Sequence, residues 1–229
     1  MKTIGLIGGM SWQSTQEYYR LINREVQSRL GGHHSARCVL FSVDFAEIEN
    51  CQREGAWDRA AAVLIRAAQS LEKAGADFLI LCTNTMHRVA GEIEKSVAIP
   101  LLHIAEVTAG EIAAAGISTV GLLGTRYTME QEFFKSRIAA RGIEVIVPGE
   151  ADRIAADRII FEELCRGKVL PGSRELFGGF INRLVRRGAR GIILGCTEIG
   201  LLVSQQQSKV PLFDTTRIHA LRAVEEALA

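Results

Sequence analysis

Cys196 and Thr83 occupy equivalent points in a unit that the chain contains twice. Ala74-Gly75-Ala76-Asp77 runs into Phe78-Leu79-Ile80-Leu81-Cys82-Thr83-Asn84-Thr85, and Arg187-Gly188-Ala189-Arg190 runs into Gly191-Ile192-Ile193-Leu194-Gly195-Cys196-Thr197-Glu198, at an offset of 113 residues (74 to 187). Each copy is an apolar run ending in a small polar tip. One tip carries a thiol where the other carries a hydroxyl. Two such tips on either side of one carbon are the geometry of stereoinversion, one removing a proton and the other returning it. A thiolate suits removal of a weakly acidic carbon-bound proton when water is excluded. A threonine hydroxyl is far less acidic and is not a resting base near neutral pH.

Each candidate also has a plainer reading. Cys196 precedes Thr197-Glu198 and a short apolar stretch, so backbone amides and the dipole of a helix over 198–203 are expected to favour its thiolate; the alternative is a buried, inert cysteine. Thr83-Asn84-Thr85 offers hydroxyl and amide donors suited to a carboxylate, or a simple Asx- or Ser/Thr-type turn. Cys82 is one step from the critical position, and one step along a strand reverses the side chain. With Thr83 at a cleft, Cys82 faces its own core. Gly5-Leu6-Ile7-Gly8-Gly9 lacks the G-x-G-x-x-G spacing of a dinucleotide site, so NAD is rejected and a tight turn presenting Met10 and Ser11 is expected. Neither Cys82 with His87 nor His33 with His34 has zinc-like spacing, so no metal is expected. The chain has no P-loop and no lysine pattern that marks pyridoxal phosphate.

The elements that must position these tips are strands alternating with helices, which predicts an α/β fold with mostly parallel strands. Strands are expected at 4–8, 38–43, 78–82 and 100–104. A helix follows the first strand, with Ser14 and Glu17 as a capping box, with Tyr18, Ile22 and Val26 on one face, and with a stop at Gly31-Gly32. A second helix is expected from Trp57 to Lys73. The pattern then restarts: Gly121-Leu122-Leu123-Gly124-Thr125 echoes the first strand, Thr128 and Gln131 offer a capping box for a helix to about Arg141, and Val210-Pro211-Leu212-Phe213-Asp214 echoes Ile99-Pro100-Leu101-Leu102-His103. Four blocks in the same order indicate duplication. The expected architecture is two pseudo-symmetric, doubly wound α/β lobes with parallel-sheet cores, residues 1–98 plus 216–229 and residues 99–215. Tips at the carboxyl ends of the strands would converge on an interlobe active-site cleft.

Composition excludes several function classes. With 229 residues and 48% hydrophobic content the chain can build a sizeable core, and a net charge of +1 argues against a nucleic-acid surface or an electrostatic membrane anchor. No apolar run is long enough for a membrane span, and Met1-Lys2-Thr3-Ile4-Gly5 is expected to enter a strand directly, so no signal peptide is expected. Five cysteines without C-x-x-C pairs suit a reducing cytoplasm.

Taken together, Gly8-Gly9-Met10-Ser11, Asn84-Thr85-Met86-His87 and Gly195-Cys196-Thr197-Glu198 resemble the aspartate/glutamate racemase family, in its aspartate-type branch, where Glu rather than His follows the second Cys-Thr. The resemblance spans essentially the whole chain. It implies two pseudo-symmetric lobes, a small-molecule amino-acid substrate, a homodimer, and a mechanism without cofactor in which two cysteines flank the α-carbon. It places Asn84, Thr85 and Thr197 on the α-carboxylate, with Met10 and Thr125 lining the site. Thr83 departs from the family by standing where the first catalytic cysteine belongs. Cys196 is therefore expected to deprotonate the L-amino acid, with Thr83, or a water it holds, returning the proton. Gln52, Arg53 and Lys168 are the candidates for a distal carboxylate, exposed helix ends being the plain alternative for both cations. Ser11, Cys82, His87 and Glu198 are expected in support. The alternatives are a broad-specificity amino-acid racemase, a single-cysteine decarboxylase-like relative and a non-catalytic amino-acid binder.

Overall fold

A computed structural model describes residues 1–229. The chain divides into two compact units, Met1–Ile104 with His219–Ala229, and Ala105–Ile218. In chain order the first holds β1 (Ile4–Gly8), α1 (Trp12–Leu30), β2 (Cys38–Ser42), α2 (Phe45–Glu54), α3 (Trp57–Lys73), β3 (Phe78–Leu81), α4 (Ala90–Glu94) and β4 (Leu101–Leu102). After α5 (Ile104–Ala114), the second holds β5 (Thr119–Gly124), α6 (Arg126–Glu130), α7 (Glu132–Ala139), β6 (Glu144–Ile146), α8 (Glu150–Glu162), α9 (Pro171–Arg186), β7 (Gly191–Gly195), α10 (Ile199–Leu202) and β8 (Leu212–Asp214). The last helix, α11 (Thr215–Leu228), runs from the second unit into the first.

Both sheets are wholly parallel and follow one plan, β2-β1-β3-β4 and β6-β5-β7-β8. Each chain path leaves its first strand for one edge and then crosses to the other side. The central pairs β1/β3 and β5/β7 are therefore topological switch points, where α/β sheets open a crevice beyond the carboxyl ends of their strands.

In the first unit, strand alternation sorts the core into two layers. Ile7, Leu79 and Leu81 pack with α2 and α3, including Ile48, Leu64, Ala68 and Leu71. Ile4, Leu6, Phe78, Ile80 and Cys82 pack on the opposite face with Tyr18, Ile22 and Val26 of α1 and Ala220, Ala223 and Val224 of α11. Buried Leu and Ile side chains of this kind contribute about 2 kcal/mol each. In the second unit the close approach is made by Gly121. A Cβ there would stand 2.8 Å from Ile192 and 2.9 Å from Leu184, so α9 packs directly on the strand.

Local capping differs from expectation at two helices. α1 starts at Trp12 with Ser11 as N-cap, whose Oγ accepts the Ser14 amide at 3.3 Å; Ser14 is inside the helix and its hydroxyl donates to the carbonyls of Ser11 and Cys82. The segment expected as one helix from Thr128 to Arg141 is two, α6 and α7, broken at the extended Gln131. Thr125, one turn earlier than expected, is the cap. In both cases the extended residue immediately before the first helical turn takes the capping role, because its side chain can reach the unpaired amides of that turn. The expected stop at Gly31 is present, with a positive φ of 74° and its N–H on Gln27. Helix α2, which carries Gln52 and Arg53, was not among the expected elements.

Beneath the carboxyl end of the first sheet, three histidine rings meet. His87 lies 4.5 Å from His103 and 5.9 Å from His219, centroid to centroid. His219 Nε2–H donates to the Leu102 carbonyl and its Nδ1 accepts the Tyr18 hydroxyl, both at 2.8 Å. Burial lowers the His219 pKa from 6.5 to about 4, because charge is disfavoured there. Above pH 6.5 the ring is neutral folded or unfolded. Between pH 6.5 and 4 only the unfolded chain takes the proton, so stability is lost as pH falls through that window, by about 3 kcal/mol from this ring. Thermal unfolding from pH 7 to 4 should show the loss, and His219→Gln should flatten it; equal slopes would remove His219 as its source.

Candidate active site

The two switch points are built separately, one in each unit. At β1/β3, Gly9 turns the chain with φ 94°, and a Cβ there would lie 2.2 Å from the Val43 carbonyl oxygen, so only glycine fits. Its N–H donates to Thr15 Oγ1 at 2.8 Å, and Thr15 Oγ1–H donates to the Ser11 carbonyl at 2.9 Å. Met10 is buried in the α2/α3 core layer, and the Met10–Ser11 peptide is cis. The Ser14 hydroxyl crosses to the Cys82 carbonyl at 3.1 Å, stitching the turn after β1 to the end of β3.

Beyond β3 the Cys82 amide still pairs with Ile7, and the Thr83 amide folds back on Leu81 at 2.8 Å. Thr83, Asn84 and Thr85 are all buried. A single 3₁₀ turn, Thr85–Val89, then brings His87 back under the tip. Its Nδ1–H donates to the Thr83 carbonyl at 2.7 Å, while Nε2 accepts the Ile104 amide at 3.2 Å. Cys82 points into the α1/α11 core layer, where burial pushes its thiol pKa up. Gln52 is buried on α2, with its amide against Met86 Sδ at 3.1 Å.

At β5/β7, Thr125 Oγ1 caps α6, accepting the Thr128 amide at 3.3 Å and meeting Thr128 Oγ1 at 3.1 Å. Gly124 lies opposite Gly195 in the register, and a Cβ on Gly124 would stand 2.7 Å from the Gly195 carbonyl oxygen. The two strand ends therefore run close together just before Thr125 and Cys196. Cys196 Sγ lies 3.0 Å from Glu198 Oε2, and the Thr197 hydroxyl donates to the same oxygen at 2.6 Å. Glu198 is 2% exposed and Cys196 6%.

This carboxylate overturns the expectation of a favoured thiolate. Burial first, and then the Glu198 charge, hold the Cys196 pKa well above that of an ordinary thiol. The helix that follows is only the four residues of α10, beginning at Ile199, so its dipole is small beside a full charge 3.0 Å away. In this geometry the Cys196 thiol is a donor to Glu198 Oε2, and the thiolate is not favoured.

Sequence reasoning missed Cys165. It stands on the 3₁₀ turn Leu164–Arg166 after α8. Its thiol lies against Glu198, near enough for hydrogen bonding and charge to act on it, and its pKa is raised by burial first and by Glu198 second. No spacing signal in the sequence links it to Cys196. Arg53 is an exposed residue of α2 paired with Glu49 and Asn50, and Lys168 lies on the exposed loop before α9.

No helix is long and apolar enough to cross a membrane. Residues 7–223 match the Asp/Glu/Hydantoin racemase family model. The chain is 54% identical to a candidate Asp/Glu racemase from Yersinia pestis of known crystal structure, with a TM-score of 0.93 and 100% of both chains covered. An aspartate racemase homologue from Pyrococcus horikoshii aligns at 33% identity over 100% of both chains with a TM-score of 0.85. The broad specificity amino-acid racemase RacX of Bacillus subtilis is 26% identical over 99% of this chain and 98% of its own. With this fold, these strand-end groups and these relatives, the chain belongs to the Asp/Glu/Hydantoin racemase family and is an isomerase.

Proposed function

We propose that the chain racemises amino acids without a cofactor, taking L-acidic substrates with kinetic preference, and that Cys196 is its base. The Cys196–Glu198 contact of 3.0 Å supports this most directly. A thiol held neutral needs an acceptor before it can act, and Glu198 is in place. In the proposed cycle the Cys196 S–H proton passes to Glu198, and the thiolate takes the α-proton of the L-enantiomer. Thr83, or a water it holds, returns a proton to the other face of the carbanion. Proton loss from Glu198 and proton gain on the Thr83 side reset the site, so protons balance over one turnover. Asn84, Thr85 and Thr197 are assigned to the α-carboxylate, with Met10 and Thr125 as site walls and Gln52 toward the side chain.

A second reading, broad specificity, is favoured by the positions of Arg53 and Lys168. Both are exposed, and Arg53 is already paired. A pocket without an obligatory charge partner penalises neutral side chains less. The likeness to a broad-specificity racemase agrees with that reading. We also propose a homodimer in the cytoplasm. Trp12 and Tyr19 of α1 and Leu40 and Phe41 of the edge strand β2 are exposed apolar groups that a second copy would cover, and all five cysteines are free thiols. Sedimentation should give twice the 25.0 kDa chain mass; a monomer would refute the dimer.

Incubating each L- and D-amino acid with the protein in deuterated water, followed by NMR at the α-position and circular dichroism, tests the function. Enantiomers have equal free energy, so kcat/KM for inversion must match in the two directions. Asymmetry is expected in α-proton exchange, faster from L than from D. Exchange equally fast from both would remove the one-thiol assignment, and none from any substrate would remove racemisation.

A further inference from the structure

The group at Thr83 is only as useful as its aim, and the aim is set from below. The Thr83 carbonyl belongs to the peptide that joins it to Asn84, so holding that carbonyl restrains the Thr83 ψ angle and with it the direction of its Cα–Cβ bond. His87 holds it at 2.7 Å through Nδ1–H. The same ring accepts the Ile104 amide at 3.2 Å, at the start of α5 just past β4. One imidazole thereby ties together the ends of two neighbouring strands of the sheet.

The ring has little freedom to do otherwise. It is 3% exposed and packs edge-on against His103 and His219, and His219 is itself held between Tyr18 and Leu102. A carbonyl faces Nδ1 and an amide N–H faces Nε2, so the proton belongs on Nδ1 and Nε2 must be an acceptor. A charged ring would aim a second N–H at the Ile104 N–H. Its titratable ring neighbours include His103 and His219 and, beyond His219, the Tyr18 hydroxyl.

We propose that His87, locked as the Nδ1–H tautomer, is a positioning residue that aims Thr83 for proton return to the substrate. This rests on the assignment of Thr83 made above. Misplacing a reacting group by an ångström costs on the order of 10²-fold in rate. The effect should be confined to the Thr83 side of the reaction, because Cys196 and Glu198 hold each other in the other unit.

The test compares His87→Asn, His87→Gln and His87→Ala. Asparagine places an amide N–H where Nδ1–H was and keeps the bond to Thr83, whereas glutamine reaches only the Nε2 position. His87→Asn should keep racemisation and exchange from the D-enantiomer within about threefold, while Gln and Ala lower both by roughly 10- to 100-fold. Exchange from the L-enantiomer and KM should stay within about threefold in all three. Parallel loss of L- and D-side exchange, or His87→Gln as active as His87→Asn, would overturn the positioning role. In the unaltered protein, imidazole ¹⁵N shifts should report Nδ1–H across the activity range; an Nε2–H tautomer would refute the proposal even if no variant folds. Thr83→Ala serves as the control on the underlying reading. If it racemises as well as the unaltered protein, the assignment of Thr83 fails; if it does not and the His87 variants do, only the positioning role fails.

Discussion

Cys196→Ser will lower kcat for racemisation by roughly 10³-fold, about 4 kcal/mol of transition-state stabilisation, and will suppress α-proton exchange from the L-enantiomer to the same extent. The change removes one atom of chemistry and almost no shape. A hydroxyl in this place still donates to Glu198 Oε2, so local packing is kept and substrate binding should change only a few-fold. What disappears is access to the deprotonated form: Glu198 can take a proton from a thiol far more readily than from an alcohol. Circular dichroism measures inversion and NMR in deuterated water measures exchange. Activity retained at the original rate would show that Cys196 is not the base. A protein that binds amino acids with unchanged affinity and turns none of them over, before and after the change, would be the non-catalytic binder instead.

Thr83→Ala will separate inversion from exchange. Without the hydroxyl, or the water it holds, the carbanion formed by Cys196 lacks a donor on its other face, and racemisation should fall by about 10²-fold or more. Exchange from the L-enantiomer should persist within a few-fold, because the Cys196–Glu198 pair is untouched and the abstracted proton still mixes with solvent before return. A loss of both in parallel would make Thr83 a structural residue of the tip, and no loss of either would leave it a wall. The same two readouts carry the His87 comparison, so the three sites are distinguished by one set of measurements.

Much of this arrangement was legible in the sequence. The two apolar runs with their polar tips are β3 and β7, both central strands of parallel sheets, and the echo of Gly5-Leu6-Ile7-Gly8 in Gly121-Leu122-Leu123-Gly124 marks the strands beside them, β1 and β5. These features are short-range. Strand alternation, glycine turns and tip chemistry are written in consecutive residues, and a duplication repeats them at a readable offset. The helix caps were less legible: Ser11 and Thr125 act where Ser14 and Thr128 were expected, since several hydroxyl residues crowd each turn and only the backbone angles choose among them.

By itself, then, the sequence determined the α/β class, the doubling of the fold, and the pairing of Cys196 with Thr83 in equivalent places, because each rests on local pattern. Tertiary structure alone decided the direction in which the Cys196 pKa moves, which follows from burial and from a Glu198 side chain that folds back to 3.0 Å rather than from the short helix after it. It alone brought Cys165 against Glu198 across 33 positions (165 to 198), and it alone set His87 beneath Thr83 and against His103 and His219. Such contacts join residues from separate elements, and their energies depend on distance and desolvation, which no spacing along the chain encodes.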